Sequence, residues 1–202
     1  RYPLSIVSGR GCELTSAEGR TYLDFVAGIS TCALGHAHPA LARAVGEQMN
    51  TLTHVSNLYY IPQQGELARW LTDSAPSLGR AFFCNSGAEA NEAAIKLARK
   101  HAHEVLGIRK PLILTAKNSF HGRTMATITA TGQPKYHKGF APLVPGFDYV
   151  EYNDVDALRS AVKGARSRFG LGKSRLAAIM LEPLQGEGGS AGFTCPRPRV
   201  RI

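Results

Sequence analysis

The chain has 202 residues, of which 44% are apolar and 19% are charged, and its formal net charge is +9. These proportions fit a soluble globular protein that buries a real core. No run of about 18 apolar residues occurs, which excludes a transmembrane helix, and no secretory signal peptide is visible.

The positive charge is spread thinly over most of the chain. Three arginines lie in the segment 190–202, and subtracting them leaves +6 for the remaining residues. No basic stripe with interleaved aromatic residues is present, so we expect neither nucleic acid nor a membrane as a partner.

The cysteines indicate a reducing compartment. Cys12, Cys32, Cys84 and Cys195 are far apart and form no C-x-x-C pair. A disulfide framework is not expected at this spacing and length, and the cytoplasm is the predicted location.

The first 76 residues predict one strand and two helices. A glycine turn followed by alternating residues predicts a strand over 19–28. Apolar residues at helical spacing predict a helix over 35–52 that starts near Pro39, and a second amphipathic helix over 62–76 that Pro76 closes.

From residue 80 onward, short apolar strands alternate with helices. This order predicts an α/β fold with a mostly parallel sheet flanked by helices. The predicted strands are 80–85, 111–116 and 175–183, and the predicted helices are 87–106 and 154–165, the second with Asp154 as its N-cap. Ligands of such sheets bind beyond the carboxyl ends of the strands, so we expect the turns that follow the three strands to share one rim.

The turn Asn85-Ser86-Gly87-Ala88-Glu89 has two interpretations. Ser86 and Glu89 match a capping box, which is a purely structural role. Gly87 and Ala88 are small enough for an anion to approach the free N–H groups at a helix N-terminus, which indicates a phosphate site. The residues of this turn alone favour neither interpretation.

The other two turns carry candidate ligand contacts. Phe120 could stack on a planar ring and Arg123 could clamp a carboxylate, or they could be a core side chain and a solvated cation. Glu182 and Glu187 could perform acid–base chemistry or pair with arginines.

Other common site types find no support. His36 and His38 are two residues apart with no third ligand at metal-binding spacing, so no metal site is predicted. The P-loop motif and the G-x-S-x-G motif do not occur, which gives no support to a P-loop ATPase or an ordinary serine hydrolase.

Five segments together resemble one protein family. These segments are "YLDFVAGISTCALGHAHPAL", "HVSNLYYIPQQGELARWL", "FFCNSGAEANEAAIKLARK", "SFHGRTMATITATGQPKY" and "LEPLQGEGG". In this order they are similar to the class III aminotransferases, pyridoxal 5′-phosphate enzymes of fold type I, and the resemblance covers about residues 1–189. It implies that an amino group passes from N-acetylornithine to 2-oxoglutarate. Ornithine, 4-aminobutyrate or another ω-amino donor remains an alternative.

The resemblance assigns roles to the rim residues. Gly87 and Ala88 match the positions whose N–H groups hold the cofactor phosphate, with Ser86 beside them as the cap. Phe120 matches the aromatic residue that stacks on the cofactor ring, and Arg123 matches the residue that takes the substrate carboxylate.

The two glutamates match residues of unequal importance. Glu187 matches a gate carboxylate that pairs with a downstream arginine in related enzymes. Glu182 matches a pocket carboxylate with a lesser role.

The resemblance also implies a division of the chain. Residues 1–60 correspond to the N-terminal segment of the small domain and the dimer contacts, and 61–189 to the first part of the large cofactor-binding domain. The Pro/Arg-rich tail 190–202 departs from the family pattern. We expect a homodimer, with the charge-poor segment 53–64 in its interface, and a plastid location if the source is a photosynthetic eukaryote.

Three family elements have no match in the chain: an Asp that hydrogen-bonds the pyridine nitrogen, the lysine that binds the cofactor covalently, and a Thr that reaches a phosphate across the dimer. The family's lysine that binds the cofactor covalently comes later than "QGEGG", and none of the chain's lysines corresponds to it: Lys96, Lys100, Lys110, Lys117, Lys135, Lys138, Lys163 and Lys173. We therefore expect no catalytic residue in this chain and expect it to be inactive as written. A non-catalytic fragment that binds phosphate or a partner subunit is the remaining alternative.

Overall fold

A computed structural model of the chain describes residues 2–75, 77–165, 174–188 and 191–192. The chain forms two compact units, Arg1–Trp70 and Leu71–Ile202. In the described ranges, no helix is long and apolar enough to cross a membrane.

The first unit begins with a small antiparallel sheet. Its strands are β1 (Ile6–Arg10), β2 (Glu13–Ser16) and β3 (Thr21–Leu23), in the order β1-β2-β3. Helical segments follow the sheet: α1 (Ala27–Ser30), α2 (Pro39–Thr51), a 3-10 turn (Ser56–Leu58) and α3 (Pro62–Ser74), which continues into the second unit.

The strand predicted over 19–28 is wrong beyond Leu23. The Asp24 carboxylate accepts hydrogen bonds from the N–H groups of Val26 and Ala27, both at 2.9 Å. These side-chain bonds stabilise a turn and end the strand.

Both helices predicted in the first unit are confirmed, but their burial is not. The apolar residues of α2 recur at helical spacing, yet Leu41, Val45 and Met49 are each more than half exposed. Pro76, which was expected to close α3, lies outside the described residues.

The second unit contains the parallel sheet. Its main elements are α4 (Gly87–Glu104), β4 (Leu112–Ala116), α5 (Met125–Ala130), α6 (Pro134–His137), β5 (Phe147–Val150), α7 (Val155–Gly164) and β6 (Leu176–Met180). The strand order is β5-β4-β6 and both pairings are parallel, which confirms the predicted sheet. A short antiparallel pair follows, β7 (Leu184–Gln185) and β8 (Ala191–Gly192).

The core surrounds the central strand. Leu114 and Ala116 of β4 are fully buried, and Ile113 packs with Ile95 of α4 and Ala130 of α5. A strand buried on both faces has a continuous run of apolar residues in its sequence. The run "PLILTA" therefore predicted β4 correctly.

The strand predicted over 80–85 is wrong. Residues 80–84 have no regular structure, and Phe82 is 72% exposed. A strand needs a neighbour for its backbone ladder. Among the described residues, none pairs with this segment.

Helix α5 was not predicted because its sequence, "MATITA", has the composition of a strand. The N–H of Thr124 donates to Thr127 Oγ1 at 3.0 Å and fixes the first turn of the helix. The buried hydroxyls of Thr129 and Thr131 donate to carbonyls four residues earlier, so their burial leaves no polar group unpaired.

Candidate active site

The structure brings the three candidate turns together at one edge of the sheet. The chain leaves β4 at Ala116 and β6 at Met180, and because the two strands are parallel their carboxyl ends meet. The start of α4 lies beside them, since Asn91 Nδ2 donates to the carbonyl of His121 at 2.7 Å.

Gly122 and Ala88 set how closely the second turn approaches α4. A Cβ built on Gly122 would lie 2.9 Å from Ala88 Cβ and 2.7 Å from Thr127 Oγ1, and Gly122 has a φ of +129°. Only glycine adopts this conformation and leaves this much room. The backbone of the loop therefore packs directly against the first turn of α4.

Helix α4 begins with the expected cap. Ser86 Oγ accepts the Glu89 N–H at 3.2 Å, and the Glu89 carboxylate accepts the Asn85 N–H at 2.7 Å. The carboxylate thus bonds one residue before the position that a standard capping box uses. Hydrogen bonds from Asn85, first its side chain and then its backbone, lower the pKa of Glu89.

Two N–H groups at this helix end remain available. In the part of the chain that the structure describes, the N–H groups of Gly87 and Ala88 donate to no protein acceptor. A Cβ on Gly87 would meet no atom within 4 Å, so protein packing does not require glycine there. The free donors and the positive end of the helix dipole together suit an anion.

Phe120 is held by the third turn. Its N–H donates to Glu182 Oε2 at 3.1 Å, and its half-buried ring meets the Tyr136 ring edge-on at a centroid distance of 5.7 Å. Burial is the main cause that raises the pKa of Glu182, and the nearby Glu187 charge adds to it. Glu182 therefore positions the backbone of Phe120.

The Arg123 guanidinium lies over two aromatic rings. Its Cζ is 5.9 Å from the centroid of Phe120 and 5.4 Å from that of Tyr136. The side chain is exposed, and among the described residues no carboxylate pairs with it. A cation held in place by aromatic faces, with its donors open, can receive a carboxylate.

Glu187 is held by residues of α6 and by Gln133, which immediately precedes that helix. Tyr136 Oη donates to Glu187 Oε2 at 2.5 Å, and Gln133 Nε2 approaches the same oxygen at 3.5 Å. Lys135 Nζ lies 4.0 Å away. The sequence interpretation missed Tyr136 and Gln133, although "QPKY" contains the proline that begins α6.

Backbone-directed side chains fix the loop between β4 and α5. Ser119 Oγ donates to the Ala116 carbonyl at 2.6 Å, and Gln133 Nε2 donates to the Ser119 carbonyl at 2.9 Å. Buried Gln185 ties the third turn to the same loop by donating to the Lys117 carbonyl at 2.9 Å. These bonds hold Phe120 and Arg123 in place on a supported loop.

His121 lies between Phe120 and Arg123 in the sequence, and its side chain is buried away from solvent. It is 5% exposed, and its Nε2 has no hydrogen-bond partner among the described residues. Burial lowers its pKa to about 4. The imidazole is therefore neutral at pH 7 and adds no charge beside Arg123.

His36 and His38 belong to no group of potential metal ligands among the described residues. His36 Nε2 pairs with Asp24 Oδ2 at 2.7 Å, which stabilises the turn after β3. Throughout the described ranges, no group of three His, Cys, Asp or Glu side chains could hold a metal ion.

Comparison with known proteins identifies the relatives of the chain. The family model described as "Aminotransferase class-III" matches residues 1–195. A protein of Synechocystis named acetylornithine aminotransferase is 64% identical over 190 residues, and its namesake in Thermosynechococcus vestitus is 65% identical over 190 residues. Each alignment covers 94% of this chain but only 43% and 45% of the relative, so the chain spans less than half the length of these relatives.

Solved structures give the same result for the fold. An ornithine aminotransferase from Toxoplasma gondii superposes with a TM-score of 0.86 at 32% identity, covering 97% of this chain and 44% of the other. An N-acetylornithine aminotransferase from Stenotrophomonas maltophilia superposes with a TM-score of 0.76 at 35% identity, covering 96% and 45%. The described elements therefore form part of a fold type I aminotransferase fold.

Proposed function

The chain belongs to the class III aminotransferases, which depend on pyridoxal 5′-phosphate, and we propose that it is the N-terminal part of an N-acetylornithine:2-oxoglutarate aminotransferase of arginine biosynthesis. The observation that carries this choice is the 64–65% identity to relatives named acetylornithine aminotransferase.

The rim residues fit the cofactor. The free N–H groups of Gly87 and Ala88 suit its phosphate, Ser86 shapes the same helix end, and the open space beside Gly87 leaves room for the phosphate oxygens. The half-buried ring of Phe120 offers a face for the pyridine ring. When bound, the cofactor supplies an electron sink for the amino carbon of the substrate.

In this proposal, two charged residues handle the substrate. Arg123 binds the α-carboxylate of the amino donor and the distal carboxylate of 2-oxoglutarate, because its donors are open and its plane is supported by aromatic rings. Glu187 contacts Tyr136, as Arg123 does, and it takes the role of the carboxylate that pairs with a downstream arginine in related enzymes. Its hydrogen bonds to Tyr136 and Gln133 fix where its charge sits.

We propose further that the lysine that binds the cofactor covalently is not among the lysines of this chain. Lys117 pairs with Glu151, and Lys135 lies over the Tyr136 ring. This assignment leaves the chain by itself able to hold the cofactor only without a covalent bond, and inactive as a transaminase.

Borohydride reduction tests that assignment. After the 202-residue chain is incubated with pyridoxal 5′-phosphate and reduced, we expect mass spectrometry to find no stoichiometric adduct on any one lysine. A one-to-one adduct at a single defined lysine would contradict the assignment. Pyridoxal without the phosphate is the control for nonspecific labelling.

A panel of amino donors tests the substrate. With 2-oxoglutarate as acceptor, we expect the full-length protein to have a kcat/KM for N-acetylornithine at least about tenfold above that for ornithine or 4-aminobutyrate. A higher kcat/KM for ornithine or 4-aminobutyrate would overturn the choice of substrate while leaving the family unchanged.

The proposal includes a homodimer in the cytoplasm, with neither nucleic acid nor a membrane as a partner. Leu58, Tyr59 and Tyr60 are 84%, 68% and 105% exposed, and an aromatic surface of this kind suits the centre of an interface. Cys12, Cys32 and Cys84 are free thiols, which fits a reducing compartment. Sedimentation of the full-length protein tests the assembly, and a monomer at micromolar concentration would contradict it.

A further inference from the structure

Tyr136 touches both charged groups of the proposed substrate site through different parts of its side chain. Its ring lies under the Arg123 guanidinium, with Cζ 5.4 Å from the ring centroid, and meets Phe120 edge-on. Its hydroxyl donates to Glu187 Oε2 at 2.5 Å. One side chain therefore links the cation, the carboxylate and the stacking aromatic residue.

The hydroxyl provides the shortest contact to Glu187. Gln133 Nε2 is at 3.5 Å from the same oxygen and Lys135 Nζ is at 4.0 Å, and Lys135 is largely exposed. A contact near 3.5 Å and a solvated cation at 4.0 Å restrain a carboxylate weakly. Among the described residues, Tyr136 therefore makes the strongest contact with Glu187.

The separation of Glu187 from Arg123 has a chemical consequence. The two residues contact the same aromatic side chain, yet no ion pair joins them among the residues that the structure describes. A carboxylate that reached Arg123 would occupy the donors that a substrate carboxylate needs. Any contact that holds Glu187 in place therefore keeps Arg123 available.

We propose that Tyr136 is a positioning residue that holds the Glu187 carboxylate away from Arg123 and so preserves the affinity of Arg123 for substrate carboxylates. This inference rests on the proposed function, because it takes Arg123 as the carboxylate-binding residue. Tyr136 itself does not enter the chemistry, so it governs substrate binding and leaves kcat at saturation nearly unchanged.

The experiment measures 2-oxoglutarate binding to the full-length protein loaded with pyridoxal 5′-phosphate, by calorimetry, without turnover. Tyr136→Phe removes the hydroxyl and keeps the ring. We expect its dissociation constant to rise about fivefold, the cost of competition by one nearby carboxylate. Steady-state kinetics with N-acetylornithine should show a raised KM with kcat within about twofold.

Removing the competing charge should rescue the variant. Because Glu187→Gln cannot pair with Arg123 as an ion, we expect Tyr136→Phe/Glu187→Gln to bind 2-oxoglutarate within about twofold of Glu187→Gln alone. A dissociation constant unchanged by Tyr136→Phe would overturn the proposal. A loss of affinity that Glu187→Gln fails to rescue would overturn it too, because the defect would then not come from the charge of Glu187.

Two further variants separate this proposal from the function on which it rests. Arg123→Ala should weaken 2-oxoglutarate binding by at least about 30-fold if Arg123 is the carboxylate site. If Arg123→Ala binds normally, the proposed function fails. If it binds weakly while Tyr136→Phe binds normally, only the role of Tyr136 fails.

The matched control is Tyr149→Phe. The Tyr149 hydroxyl also makes one 2.5 Å hydrogen bond, to the Thr129 carbonyl, but it contacts no charged residue of the site. We expect the control to leave the dissociation constant unchanged. A rise equal to that of Tyr136→Phe would overturn the proposal by showing that the loss of any hydroxyl in this region has the same effect.

Discussion

The two units of the chain bury their apolar residues very differently. In the second unit, Leu114 and Ala116 are fully buried, and the described hydrophobic core lies entirely within it. Among the described residues of the first unit, Ser16 is the only buried one, and Leu41, Tyr59 and Tyr60 are largely exposed.

This difference separates the unit that carries the candidate site from the unit whose apolar side chains stay exposed. The rim of the parallel sheet is supported by its own hydrogen bonds, such as those of Ser119, Gln133 and Gln185. The first unit has the amphipathic pattern of a packed region without the burial. Apolar surface of this extent marks an interaction surface, so we expect another polypeptide surface to cover it.

The largest expected effect is at the rim. Arg123→Ala in the full-length protein should weaken the binding of amino-acid carboxylates by about 2–5 kcal/mol, since the variant lacks a bidentate charged contact that the bound substrate would cover. The absorption spectrum of the bound cofactor should stay nearly the same. Arg159→Ala is the matched control, because Arg159 is exposed and its one ion pair among the described residues is with its helix neighbour Asp156.

A paired truncation tests the contrast in burial directly. Leu114→Ala should lower the free energy of unfolding by about 2–5 kcal/mol, because it leaves a cavity in the core. Leu41→Ala, which removes the same atoms from a side chain that is 53% exposed, should cost under about 0.5 kcal/mol in the 202-residue chain. Urea unfolding measures both, and equal losses would contradict the contrast.

His121 predicts a pH dependence in the second unit. Its pKa is about 4 in the folded protein and 6.5 without burial, so between these values the unfolded state binds more protons and stability falls as pH falls. We expect a loss of about 1–3 kcal/mol from pH 7 to pH 4 on this account. His121→Gln should flatten the difference between these two pH values in denaturant titrations. If the variant keeps the same pH dependence of the unfolding free energy, His121 is not its cause.

Alanine substitutions at two glycines of the rim should affect different properties, one the stability of the fold and the other the binding of the cofactor. Gly122→Ala introduces a strained φ and a clash with Ala88, so it should destabilise the fold by about 1–3 kcal/mol. Gly87→Ala meets open space and should leave the unfolding free energy within about 0.5 kcal/mol, while a methyl group beside the phosphate weakens cofactor binding. Thermal unfolding and fluorescence titration with pyridoxal 5′-phosphate distinguish the two. A loss of stability in Gly87→Ala would show that this glycine is structural.

Sequence patterns predicted the elements whose local and tertiary preferences agree. Helix α4 combines a Ser86 cap with helical periodicity, α7 has the predicted Asp154 cap, and β4 is a continuous apolar run. Residues 80–84 have the same apolar character as β4, but a strand also needs a hydrogen-bonded neighbour, which local sequence does not specify. Helix α5 was missed because its composition is typical of a strand. Its buried threonines are tolerated in a helix because their hydroxyls donate to carbonyls four residues earlier.

In the candidate site too, local sequence patterns predicted some features and missed others. The turns around Gly87, Phe120 and Arg123 were identifiable because each combines unusual residue types within a few positions. The contacts of Tyr136 and Gln133 with Glu187 join residues more than fifty positions apart, and no local pattern records such a pairing. The exposure of α2 was missed because periodicity reports which face is apolar and not what covers it.

Amide hydrogen exchange on the full-length protein, with and without pyridoxal 5′-phosphate, tests the central claim that the rim of the second unit holds the cofactor. We expect peptides covering 85–89 and 118–124 to gain protection when the cofactor binds, while the exposed face of α7 (Val155–Gly164) exchanges as before. Cofactor binding without added protection at 85–89 would contradict the assignment of Gly87 and Ala88, and with it the proposed site.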